Sequence, residues 1–347
     1  MRVFCALVSG TTIALTSPDG VVWAEHTLPV SADWRTLAWN GSVFCALGYN
    51  TSIAVTSPDG ITWTQRTLSA SGQWRNLVWN GSVFCVLDSK ASVAITSPDG
   101  IAWTTHTIPM TGTAGPLVWN GSVFCALRIY NTTVITSPDG ATWTAYTLPV
   151  TGQWATLAWN GSILCALHSY YGVSPTHAVI SSDGMSWASS VLPINISCTD
   201  IAWNGNVFCG LEFSGTRALT SPDGVTWTQR TLPVLQQWEY IEWSGSLFCG
   251  LGSADSSNTA VTSADGATWT AHALPVSGRW KMLVRGDSVL CAISTINAAP
   301  VAISSPTGSA WSVASLPGSI PDGANTVLIF GGALPPFWKN YRRCVEV

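Results

Sequence analysis

The chain has 347 residues, a formal net charge of −4, and 9% charged against 47% hydrophobic residues. No apolar run reaches the roughly 18 residues that a membrane helix needs, and no basic stripe offers a footprint for nucleic acid, so membrane insertion and nucleic-acid binding are not expected. The sequence opens on the strand-like run Arg2-Val3-Phe4-Cys5, with no charged-then-apolar leader, so no signal peptide is expected either.

From that first run onward one unit repeats. An Asp-Gly step falls at Asp19, Asp59, Asp99, Asp139, Asp183, Asp223 and Asp265, each followed four residues later by Trp23, Trp63, Trp103, Trp143, Trp187, Trp227 and Trp269, and an eighth, altered copy ends at Trp311. A second signature, Trp-Asn-Gly-Ser-Val-Phe-Cys-Ala-Leu, interleaves with the first from Trp39 onward. The period of about 40 residues is that of propeller blades.

The second unit shows the expected strands. Trp34–Trp39 is apolar-rich and forms strand A. Asn40-Gly41 predicts a two-residue type I′ hairpin into strand B. Strand B, Val43 to Leu47, is apolar at every position, as expected of a strand covered on both faces. A polar loop leads to strand C at Ile53–Thr56, and Ser57-Pro58-Asp59-Gly60 turns the chain into strand D. Strand D, from Ile61 to Leu68, reads as the wet outer strand, usually stopped near its end by a proline such as Pro29 or Pro149.

Strand B recurs eight times, at Cys5, Cys45, Cys85, Cys125, Cys165, Cys209, Cys249 and Cys291, and strand D recurs eight times, but only seven units carry their own strand A. The first unit lacks one. The β-prone run Asn325–Phe330 is left over at the other end and is expected to fill the gap, closing the ring without an open edge. The expected fold is therefore all-β: an eight-bladed propeller of four-stranded blades over residues 1–332, with a tail at 333–347. The alternative is a seven-bladed ring with one decayed unit. The eight repeated cysteines lie in successive sheets about 10 Å apart, too far for disulfides, and read as small buried hydrophobes. No metal or other cofactor is expected. Cys198 and Cys344 fall outside the ring; free thiols are expected, with a bond to each other or across subunits as the alternative.

The repeated Ser-Pro-Asp-Gly-x-x-Trp turn resembles the Asp-box of β-propellers such as sialidases, plant and bacterial assembly factors and lectins. The family pattern, Ser-x-Asp-x-Gly-x-Thr-Trp, carries one more residue between Asp and Gly. The resemblance spans residues 1–332 and implies that the motif is a structural turn remote from any active site. Self-similar arrays of this kind, poor in charge, also resemble propellers encoded among bacteriophage tail and virion genes. That resemblance implies a location in the virion and contacts with other virion proteins, with the 333–347 tail as one route.

Sialidase-like chemistry would need a carboxylate pair and, in that family, an arginine cluster and a tyrosine. Seven of the aspartates are engaged in the repeated turns, and the remainder form no such set. No enzyme and no catalytic residues are expected. Comparing the repeats locates a binding face instead: the A–B and C–D turns barely vary, whereas the B–C and D–A loops, at the opposite end, differ in nearly every unit. There Trp34, Trp74, Trp154, Trp238 and Trp280 each follow a polar residue, among them Gln73, Gln153, Gln237 and Arg279, and Tyr170-Tyr171 lie in the longest insertion. Trp beside an amide suits a sugar, the ring stacking and the amide bonding hydroxyls. The same Trp side chains could instead seal the blade corners. The expected function is thus a non-enzymatic tail appendage that binds a host-surface glycan or protein, with a purely structural virion module or a glycan-processing enzyme as the alternatives.

Overall fold

The computed structural model describes residues 2–331 apart from 91, 170–175, 281, 296–299, 318–319 and 322–323. The predicted tail, with Cys344, lies outside the described residues.

Every blade is built around its strand B. In blade 2, Phe44–Gly48 is buried at each position. It lies between strand A, Trp34–Trp39, and strand C, Thr51–Ser57, with strand D, Thr64–Gly72, on the far side, all antiparallel. A central strand with both faces covered has no position for a polar side chain, which explains its unbroken apolar run. Strand D alternates exposed and half-buried residues around a buried Leu68. Contrary to expectation, proline does not end it: Pro29 and Pro149 sit inside strands Ala24–Ala32 and Thr144–Gly152. These are outer edges, so a residue without an N–H leaves no ladder bond unmade there.

The turns hold their shape through side chains. In the A–B turn Gly41 has φ 101° while Asn40 is absent from the left-handed region. The expected type I′ geometry, which needs both, is not adopted. Gly41 instead takes the first central position, in the manner of type II′. Asn40 stands before it, its Oδ1 accepting from the Ser42 and Val43 N–H groups at 2.9 and 2.7 Å. In the C–D turn the Ser57 hydroxyl accepts from Gly60 N–H, Asp59 Oδ1 accepts from Ile61 and Thr62 N–H, and Trp63 Nε1 donates to the Gly60 carbonyl at 2.9 Å. The worn eighth copy keeps the scheme with Thr307, whose Oγ1 accepts from Ser309 N–H.

These bonds favour ionised carboxylates. The Ser186 and Met185 N–H groups hold Asp183 below the usual carboxylate range, and the other six turn aspartates are lowered as well. A carboxyl with a depressed folded-state pKa contributes stability above its unfolded pKa and loses it as pH falls through the folded value. Thermal melts should therefore show a falling Tm below about pH 4. Asp183→Asn, which keeps the acceptor, should lessen that dependence by one of its seven contributions. A Tm unchanged between pH 6 and pH 2.5 would contradict this account.

Residues 326–331 close the ring. Thr326–Gly331 pairs antiparallel with Val3–Val8, Phe330 opposite Phe4, and supplies strand A of blade 1. The inner strands then touch in an unbroken cycle: Thr326–Gly331, Trp34–Trp39, Trp74–Trp79, Ala114–Trp119, Ala158–Trp159, Cys198–Trp203, the end of Thr228–Trp243, Val284–Arg285, and back to Thr326–Gly331. That is eight blades, and the seven-bladed alternative is excluded. The blade contact also explains the cysteines. A Cβ on Gly60 would lie 3.6 Å from Cys5 Sγ of the preceding blade, one on Gly100 3.3 Å from Cys45 Sγ, and one on Gly20 of blade 1 3.5 Å from Cys291 Sγ of blade 8. Cysteine fills a gap that leaves little room beyond a sulfur atom. The nine described cysteines are buried and lie outside any disulfide, and burial pushes thiols such as Cys5, Cys45 and Cys85 far above their ordinary range.

Candidate functional site

The A–B and C–D turns share one end of the ring, and the B–C and D–A loops share the other. At the loop end the five candidate tryptophans are not available to a ligand: Trp34 and Trp238 are 1% exposed and Trp74, Trp154 and Trp280 are 0%. Trp34, Trp74, Trp238 and Trp280 donate Nε1 to the carbonyls of Thr11, Thr51, Gly215 and Ser257, each 23 residues upstream in the preceding blade. Trp154 packs edge-on against His168 at 5.7 Å. A fully enclosed ring cannot stack on a sugar, so the corner-sealing role holds and the stacking role is corrected. Beside these rings the Gln153 N–H donates to His168 Nε2, the Gln153 Oε1 is buried with no hydrogen-bond partner, and the Gln237 carbonyl takes the Ser253 N–H. Arg279 lies 3.4 Å from Asp255. Tyr170 and Tyr171 lie outside the described residues.

Gln73 is different, because it belongs to a polar cluster at the channel mouth between blades 2 and 3. Tyr49 opens the B–C loop of blade 2, where Asn50 at φ 58° reverses the chain and the Tyr49 N–H donates to the Asp33 carbonyl at 2.8 Å. Two guanidiniums lie over its phenol ring, Arg35 Cζ 5.4 Å and Arg75 Cζ 5.1 Å from the ring centroid. The hydroxyl donates to Gln73 Oε1 at 2.8 Å, and the Arg75 guanidinium reaches it at 3.5 Å. Asp33 takes Arg35 Nε on both oxygens, at 2.8 and 2.9 Å, and also accepts from the Ser9 hydroxyl. Each arginine is the second residue of its strand A.

That second position is among the least repeated around the ring. After Arg35 and Arg75 come Gly115, Ala155, Thr199 and Glu239, and the eighth-blade equivalent, Lys281, lies outside the described residues. The repeated positions build blades; the unrepeated ones gather at the channel mouth. Sequence reasoning passed over Arg35 and Arg75 because they lie within a strand, although a column-by-column comparison of the repeats exposes them. Among the described residues no three His, Cys, Asp or Glu side chains converge to hold a metal ion.

No family model and no curated protein sequence matches the chain. Solved structures do. Apo AztD from Citrobacter koseri shares 10% identity over 96% of this chain and 99% of its own, with a TM-score of 0.65. A streptogramin B lyase shares 10% over 84% and 94%, TM-score 0.60, and the dihydro-heme d1 dehydrogenase NirN shares 7% over 90% and 73%, TM-score 0.68. These are multi-bladed propellers, and at such identities the likeness establishes the fold alone. It corrects two expectations. None of the three is a phage tail protein, so the assignment as a tail appendage is withdrawn. A lyase and a dehydrogenase share the fold, so excluding an enzyme is withdrawn as well.

Proposed function

We propose that the chain binds a small molecule carrying a carboxylate, phosphate or sulfate group at the channel mouth, between Arg35 and Arg75. The observation that carries this is the convergence of guanidiniums from two adjacent blades on one tyrosine ring. Two guanidiniums are gathered at one ring, Arg35 paired with Asp33 and Arg75 bonded to the Tyr49 hydroxyl. Arginine matches carboxylate, phosphate and sulfate groups with two donors at once. Asp33 holds Arg35, and the Tyr49 hydroxyl, itself bonded to Gln73, holds Arg75 before the ligand arrives, which lowers the entropy lost on binding. Alongside this, we regard the Ser-Pro-Asp-Gly-x-x-Trp turn as an Asp-box-like structural element, a reading supported by the same bonds recurring at the end away from the mouth.

Titration calorimetry with citrate, inorganic phosphate and sulfate, and with glucose as the neutral control, tests the site. Arg75→Gln should weaken anion binding by about 10- to 100-fold, the value of a charge-assisted hydrogen bond, while the far-ultraviolet spectrum stays unchanged. A variant that binds anions like the wild type, but melts earlier, would assign the cluster to stapling blades 2 and 3 instead.

A further inference from the structure

Blade 4 carries an arginine whose side chain has no partner among the described residues. Arg128 ends strand B, opposite Ala114 of strand A. It is half-buried, its Nε is buried without a hydrogen-bond partner, and its guanidinium makes neither a hydrogen bond nor an ion pair among those residues. Asp88, at the same register position in blade 3, accepts from the Lys90 N–H at 2.8 Å instead. A buried donor on a charged group lowers stability while it goes unmet, and an acceptor from outside the chain would meet it. The neighbouring D–A loop leaves the guanidinium its room. A Cβ on Gly112, where φ is 90°, would lie 2.6 Å from Arg128 Nη2, so a side chain there would collide with it.

Two residues on, the same hairpin holds a tyrosine in an unfavourable conformation. Tyr130 has φ 64° and is 69% exposed. The equivalent turn positions in blades 1 and 2 are Gly10 at φ 76° and Asn50 at φ 58°, residue types that suit the left-handed region. A tyrosine does not, and its ring recovers nothing within the chain: among the described residues it meets no other aromatic ring and its hydroxyl makes no hydrogen bond. Residues kept in such conformations gather at binding sites, where the ligand supplies the return. The hairpin itself is anchored, the Ile129 N–H donating to the Thr113 carbonyl at 3.1 Å beside Gly112.

We propose that blade 4 holds a second anion site, separate from Arg35 and Arg75, which takes an aromatic compound bearing a carboxylate, phosphate or sulfate group. Arg128 receives the anionic group with its unmet donors, and the exposed Tyr130 ring packs against the aromatic ring.

Titration calorimetry on Arg75→Gln protein, in which the first site is weakened, tests this with phenyl phosphate, inorganic phosphate and uncharged benzyl alcohol. Phenyl phosphate should bind about tenfold tighter than phosphate, the value of one aromatic contact, and benzyl alcohol should not bind measurably. Arg128→Gln should weaken phenyl phosphate about tenfold or more. Tyr130→Asn should bring the ratio of the two phosphates to near 1 while raising the melting temperature, because asparagine suits the left-handed region better. A tyrosine with only a structural role would give the reverse, a lower melting temperature and an unchanged ratio, and would overturn the site. The same ratio, compared between wild type and Tyr130→Asn, decides the matter should Arg75→Gln fail to fold. Equal affinities for phenyl phosphate and phosphate would also overturn it. Loss of all phenyl phosphate binding in Arg75→Gln would assign the ring compound to the first site and remove the second.

Discussion

A chain ending at residue 324 is expected to lose its cooperative folded state, whereas one ending at residue 332 should melt within about 2 °C of the full chain. The first truncation removes strand A of blade 1. Val327 and Leu328 are 5% and 0% exposed, Ile329 and Phe330 are half-buried, and Phe330 packs on Phe4 with ring centroids 4.8 Å apart. Losing that apolar burial costs roughly 5–8 kcal/mol, against the 5–15 kcal/mol that holds a typical domain together. The exposed partner makes matters worse. Val3–Val8 is buried at all six positions, and without its neighbour it becomes a bare apolar edge that would template aggregation. Far-ultraviolet melting and sedimentation velocity distinguish the outcomes. A monomer that unfolds cooperatively at the wild-type temperature after truncation at 324 would show that the ring does not depend on its closing strand.

Closure was legible in the sequence because counting is enough: eight strands B, eight strands D and seven internal strands A leave one vacancy and one spare β-prone run. The blade itself was legible for a local reason. Ser57, Asp59, Gly60 and Trp63 bond to one another within seven residues, so their spacing carries the geometry. The A–B turn was misjudged because Asn-Gly fits two turn types, and only the Asn40 side chain, bonded to Ser42 and Val43, selects between them.

The site was far less legible. Trp beside a polar residue describes a corner wedge as well as a sugar platform, and burial, which separates them, is a property of the neighbouring blade. Strand A also shifts register between Trp34 and Thr36; a one-residue irregularity redirects the side chains beside it, so alternation cannot say where Arg35 points. Its meeting with Tyr49 and Arg75 joins residues from two blades, and no local pattern records it. The class of function rested on a resemblance in style, and style belongs to the scaffold.

Within the wedges the repeat offers its own control. Trp74→Phe should cost about 1–3 kcal/mol more than Trp154→Phe. Trp74 Nε1 donates to the Thr51 carbonyl at 2.9 Å, and phenylalanine would leave that carbonyl without its donor, at the cost usual for a hydrogen bond broken from one side. Trp154 Nε1 is buried with no hydrogen-bond partner. Phenylalanine there removes a donor that is already unsatisfied, and the gain offsets the smaller ring. Both lose some packing, so the difference between them isolates the bond. Trp74→Ala should be costlier than either, at about 3–5 kcal/mol, because it leaves a cavity between blades 2 and 3. Urea unfolding with a common slope measures all three. Equal costs for the two phenylalanine variants would mean that the indole bond contributes nothing at these corners. Near-wild-type stability of Trp74→Ala would mean that the corner is not sealed by its tryptophan.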